Sequence, residues 1–311
     1  MWIWLGLREW RRGNNDPREQ LRVADWHFER IGGEYSFTEG PQWTGELVLF
    51  TDMYNHRIIS FDPATGQVAR FFQGTNLTNG LLYSSGGDLY CCEVAARRLS
   101  RLRDGRREVL AESFGGDRLN SPNDVTEDSK GRIWFTDPRY GEYRADMELD
   151  HESVYRLDPE SGTLTRATFD TTRPNGLLFS ADEKTLYVVQ SDYGEGAARE
   201  LRAYPVGEDG SLGPFRVLHN FFPSRGADGL TLTSEGHVMA AAGWSVNGPG
   251  PMIYVFDSSG RVLETQPTPP GFPTNLCFGG ADLGDLYVTM GEAGVFRVRN
   301  CGYRGHDRYR R

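Results

Sequence analysis

Six oxygen-bearing side chains recur at the head of similar segments: Glu39, Asn79, Asn123, Asn175, Asp228 and Asn275. Each precedes a short apolar run, usually with a glycine between, as in EGPQW, NGLLY, NDV, NGLLF, DGLTL and NLCF. Carboxylate and amide oxygens are the donors that a hard dication such as Ca2+ selects, in flexible geometry. Two carboxylates among four amides would balance a dication and leave positions for water and substrate. Taken singly, Asn or Asp before Gly is a turn former. A turn requires no such residue at the same phase of six segments, however, and glutamate forms turns poorly. The histidines, His27, His56, His151, His219, His237 and His306, are scattered, with no H-x-x-x-H or Cys/His grouping of the kind zinc prefers.

Something must bring these six residues together, and their spacing says what. Successive starts lie 40, 44, 52, 53 and 47 residues apart, the length of a β-propeller blade of four short strands. A second strand pattern follows each start (LVLFTD, DLYCCE, RIWFTD, TLYVVQSD, HVMAAA, DLYVTM). Further strand patterns end in Asp-containing turns, as in RIISFDPATG, SVYRLDPESG and MIYVFDSSG. No long segment keeps a 3.6-residue apolar period, which removes α/β and helical-repeat folds. The expected fold is therefore an all-β, six-bladed propeller. Its sixth copy supplies only three strands, around Leu276–Phe278, Leu286–Met290 and Val295–Val298. The stretch Trp26–Ile31 is the expected fourth, closing the ring and removing an exposed sheet edge. The expected organisation is an N-terminal extension over 1–22, the propeller over 23–300 and a basic tail over 301–311. In a propeller the first strand of each blade lines the central channel, so the six residues converge into a ring.

Bulk properties narrow the function classes. With 38 % hydrophobic and 25 % charged residues the chain has ample core, and its net charge of −9 argues against nucleic-acid binding. Four arginines between Arg304 and Arg311 read as a solvated tail without an assigned role. Cys91, Cys92, Cys277 and Cys301 lack metal or disulfide-scaffold spacing, so buried thiols are expected, the first two on opposite sides of a strand. The first ten residues do not resemble a secretory signal and no stretch is long and apolar enough for a membrane span, so a cytoplasmic protein without membrane partner is expected. No G-x-S-x-G, C-x-x-C or P-loop lysine occurs. A small-molecule substrate is the expected partner, and the oligomeric state is left open.

Several segments carry a more specific resemblance. EGPQW from Glu39, SPNDV from Ser121, WFTDPRYG from Trp134, RPNGLLFSADEKTLYV from Arg173, DGL from Asp228 and PTNLCFGG from Pro273 occur in this order. They resemble the motifs of the gluconolactonase and regucalcin (senescence marker protein) family over about residues 25 to 300. The resemblance implies one catalytic divalent cation held by Glu39, Asn175 and Asp228, with Asn123 beside it, directly or through substrate or water. Asn79 and Asn275 are then structural or substrate-facing. Ca2+ leads the expected cations, with Zn2+, Mn2+, Mg2+ and Fe2+ as the others. Asp228 is the implied general base, and family members hydrolyse sugar lactones or organophosphates. Where the regucalcin branch has a sugar-contacting arginine, this chain has Ser121, so Arg139 and Tyr140 join Asn123 and Ser121 as expected substrate contacts.

The implied reaction is metal-dependent opening of a sugar-lactone-like ring, with the cation polarising the carbonyl and Asp228 drawing a proton from the attacking water. A cation-bound carboxylate is a weak base, so direct attack by Asp228 is the variant. The rival readings are a phosphotriesterase-type hydrolase on the same metal, a non-catalytic metal-binding propeller, and a metal-free propeller enzyme of the strictosidine-synthase type.

Overall fold

The computed structural model describes residues 26–140 and 142–309; the expected extension over 1–22 lies outside them. Six four-stranded antiparallel sheets follow one another along the chain as a six-bladed propeller. Their first strands are Thr38–Trp43, Thr78–Tyr83, Val125–Glu127, Pro174–Phe179, Ala227–Leu232 and Asn275–Gly279. In the last blade, Phe28–Ile31 pairs with Val295–Arg299, with Phe28 opposite Val298 and Ile31 opposite Val295. Ile31 is buried, and the Phe28 ring meets Phe296 edge-on at 6.4 Å. The N-terminal strand thus caps the edge that an open sixth blade would expose.

Burial falls from the inner strands towards the rim because the inner strands are covered by neighbouring blades on both faces. The second strands Val48–Asp52, Leu89–Glu93 and Ile133–Asp137 are buried throughout, whereas the fourth strand Val68–Gln73 is largely exposed. Strand alternation sends adjacent residues into different inter-blade cores. Cys91 packs with Leu49 and Leu81, and Cys92 packs with Leu119, Phe135 and Tyr155. All four cysteines are free and buried.

The basic C-terminal segment docks on the face opposite the ring residues. Gly305 forms a β-bridge with Thr233, and the His306 amide donates to the Leu232 carbonyl at 3.0 Å. Arg308 donates to the carbonyls of Phe179 and Ser180 at 3.3 and 3.0 Å. These carbonyls at strand ends hold a segment that its charge alone would leave in water. Among the described residues, no helix is long and apolar enough to cross a membrane.

Candidate functional site

Four of the six ring residues, Glu39, Asn79, Asn175 and Asp228, lie at a local break in their strand. In four blades the register slips between Glu39 and Gln42, Thr78 and Leu81, Pro174 and Leu177, and Ala227 and Leu230. These are β-bulges, which re-aim a side chain where the ladder is interrupted. The glycine after the ring residue is required by close approach of the next blade. A Cβ on Gly80 would lie 2.5 Å from the Asn123 carbonyl oxygen, and one on Gly229 would overlap the Asn275 side chain. The glycines that read as turn formers in sequence therefore serve to bring adjacent ring residues together.

A second device fixes the loops entering these strands. In four blades a polar group near the end of the second strand binds the residue three positions before the ring residue. Asp52 accepts from the Ser36 amide at 2.8 Å, Glu93 from the Asn76 side chain at 2.6 Å, Asp137 from the Asn120 amide at 2.8 Å and Gln190 from the Thr172 amide at 2.9 Å. In the fifth blade the equivalent strand position is Ala242, paired with Ala227. The residue three before Asp228 is Arg225, and without that anchor it turns into the site. It pairs with the Asp228 carboxylate, and its Nη1 donates to the carbonyls of Gly243 and Pro273 at 3.2 Å each.

The ring's electrostatics follow from burial. Glu39, Asn123, Asn175, Asp228 and Asn275 are all buried, as is Asp124, which occupies the place where four other blades have glycine or Gly-Pro. Burial, then repulsion from Asp228 and Asp124, pushes the Glu39 carboxyl well above its usual range. Burial pushes Asp124 up to about 7. Asp228 is also raised by burial, against the pull of Arg225 and the Asn175 amide. Three mutually repelling carboxylates thus face one buried guanidinium. The Asn275 amide offsets part of this by donating to Glu39 at 3.2 Å and to Asp124 at 3.4 Å. Among the described residues, no three His, Cys, Asp or Glu side chains form a metal group on their own. A cation here would rely on a mixed set, the carboxylates of Glu39 and Asp228 with the amide oxygens of Asn123 and Asn175. All are hard donors, and the excess of buried negative charge suits a dication.

Other residues singled out in the sequence are placed differently. The Ser121 hydroxyl donates to the Pro138 carbonyl at 2.7 Å. Arg139 holds Asp146 in a bidentate pair at 2.9 and 2.6 Å, so its guanidinium is bound within the protein. Tyr140 is half-buried, its hydroxyl 3.4 Å from the Arg173 carbonyl. Burial raises its pKa strongly, and the nearby Asp228 carboxylate adds to the shift. Asn79 is half-buried, and its carbonyl accepts from Thr51 at 3.0 Å.

Residues 37–292 match the family model described as the SMP-30/gluconolactonase/LRE-like region. The chain belongs to this family. Similar proteins include the gluconolactonase of Zymomonas mobilis, 29 % identical over 301 residues, covering 88 % of this chain and 81 % of the relative. A solved gluconolactonase from Xanthomonas campestris is 31 % identical with a TM-score of 0.78, covering 91 % of this chain and 92 % of that one. A calcium-binding regucalcin from Agrobacterium tumefaciens shares the fold at 18 % identity and a TM-score of 0.72, over 91 % of this chain and 96 % of that one.

Two site residues of this family member escape a reading by motif. Asp124 hides behind Asn123 in NDV, its only signal being an acid where other copies have glycine. Arg225 is signalled by the missing polar residue at Ala242. Asp124 yields a direct test. Its folded value of about 7 lies above that of an unfolded carboxylate. The folded state therefore binds the extra proton, and stability is lost as pH rises from the unfolded value through the folded one. In chelated protein, Asp124→Asn should melt with wild type at about pH 4 and a few degrees above it at about pH 8. Thermal melts across this range check it, and a constant difference would refute the burial cost.

Proposed function

We propose that the protein is a divalent-cation-dependent hydrolase that opens lactone rings. The observation that carries this reading is the buried ring in which Glu39, Asp124 and Asp228 outnumber the single cation Arg225. The names of the relatives, gluconolactonase among them, support the lactone as substrate class. Glu39, Asn123, Asn175 and Asp228 would hold the cation, Ca2+ being the best match to an all-oxygen donor set. When bound, such an ion supplies Lewis-acid stabilisation of the negative charge that develops on the lactone carbonyl oxygen.

The chain's own residues do the rest. Arg225 and Asn175 orient the Asp228 carboxylate, and the Gly40 amide, 2.5 Å from Glu39 Oε2, fixes Glu39. Asp228 takes a proton from water as the water oxygen bonds to the carbonyl carbon. The ring C–O bond then breaks, the proton passes to the departing ring oxygen, and the product is a hydroxy acid. Burial favours proton uptake by Asp228, and Arg225 opposes it.

The test is a chelated full-length chain titrated with Ca2+, Mn2+, Zn2+ and Mg2+, with lactone opening followed by pH-stat and a phosphotriester as comparison. Chelation should lower lactone turnover at least about 100-fold, with recovery on adding one of the ions. Full activity after exhaustive chelation would refute the metal requirement. Turnover of the phosphotriester alone would refute the lactone.

A further inference from the structure

Beyond the channel carboxylates, the most distinctive surface of the molecule is the rim around them. Ten large apolar side chains remain exposed among the described residues. Six of these, Tyr54, Phe169, Tyr193, Phe222, Trp244 and Val246, lie on the loops and strand ends of the face that carries the site. The other four lie on fourth strands at the rim, and none on the opposite face. Single exposed apolar residues need no explanation, but a one-sided grouping around a site does.

The grouping is continuous with the chemistry. Arg225, paired to Asp228, sits over the Phe272 ring at 5.0 Å. Phe272 contacts Trp244 at 5.9 Å and Phe37 at 5.7 Å, and Phe37 contacts Tyr54 at 5.6 Å. On the other side Tyr140 lies 6.4 Å from Tyr193. An aromatic wall therefore runs from the carboxylate to solvent.

Three of the polar side chains nearby are already engaged. Arg139 holds Asp146, the Ser121 hydroxyl donates to Pro138, and Arg225 holds Asp228 and two carbonyls. A polyhydroxylated ring entering this mouth would give up hydrogen bonds to water and find few to replace them. An apolar group would find aromatic surface. We propose that the preferred substrate is a lactone bearing an apolar alkyl or aryl group, seated on the wall of Phe37, Tyr54, Trp244 and Phe272. The proposal rests on the lactonase reading and narrows it from sugar lactones.

The experiment compares γ-nonalactone with δ-gluconolactone on the metal-loaded full-length chain, wild type and Trp244→Ala. Trp244 is 40 % exposed, so its loss leaves the core intact. Wild type should favour γ-nonalactone at least about tenfold in kcat/KM, and Trp244→Ala should lower the ratio of γ-nonalactone to δ-gluconolactone kcat/KM about tenfold. Preference for δ-gluconolactone, or an equal loss on both, overturns the proposal while leaving the lactonase reading standing. If neither lactone opens, the lactonase reading fails. Tryptophan-fluorescence titration then decides the wall separately: binding of γ-nonalactone that Trp244→Ala weakens supports it, and no binding overturns it.

Discussion

Asp228→Asn should lower lactone turnover by about 10³-fold or more, the range for loss of a proton-accepting carboxylate at the reacting centre. It should also destabilise the protein by about 3 kcal/mol, because it leaves the Arg225 charge buried without its counter-ion. Asp228 and Arg225 are only 11 % and 9 % exposed, so water cannot replace the missing partner. The carbonyls of Gly243 and Pro273 remain bonded to Arg225 but carry no full charge. Adding Arg225→Met to Asp228→Asn should therefore restore much of the melting temperature and none of the turnover. A double variant that regained activity would show that Asp228 serves only to neutralise Arg225. Single turnover in 18O-water separates the two roles of Asp228, since label retained in its carboxylate would indicate nucleophilic attack in place of proton transfer.

Glu39→Gln is expected to act oppositely on stability. Both donors to Glu39, the Gly40 amide and the Asn275 side chain, go to the same oxygen, Oε2. A glutamine carbonyl can accept both. The substitution then removes one of three mutually repelling buried carboxylates, so the chelated variant should melt no lower than wild type at neutral pH. Cation affinity should nevertheless fall about 100-fold or more, since charge count is the main determinant of affinity in an all-oxygen site. Calorimetric titration of the ion beside a thermal melt checks both. Unchanged affinity would remove Glu39 from the ligand set, and a large loss of stability would show that its charge is already compensated. The contrast is informative because both residues belong to one ring: one carboxylate holds a buried cation, and the other lacks a fixed counter-charge.

The propeller was legible in the sequence because its signals are local. The period of about 40 to 53 residues, the glycine after four of the six ring residues and the apolar second strands each report on a few neighbouring residues. Closure by the N-terminal strand was legible for the same reason, the sixth copy being one strand short. The candidate ring was visible as six oxygen donors in phase, and family resemblance narrowed it to Glu39, Asn123, Asn175 and Asp228. Ser121 and Arg139 show the limit of such a reading: both side chains are bonded within the protein.

What the tertiary structure alone decided is how those residues are charged and held. Asn275 donates to Glu39 across 236 residues and to Asp124 across 151. No local pattern specifies these contacts, because they exist only when blades far apart in the sequence meet at the channel. Arg225 is local to Asp228, yet its turn into the site depends on Ala242 leaving the entering loop without an anchor. The aromatic rim likewise assembles from loops of separate blades. The oxygen donors of this site are written along the chain, while their charge balance and the apolar mouth above them follow from closing the ring.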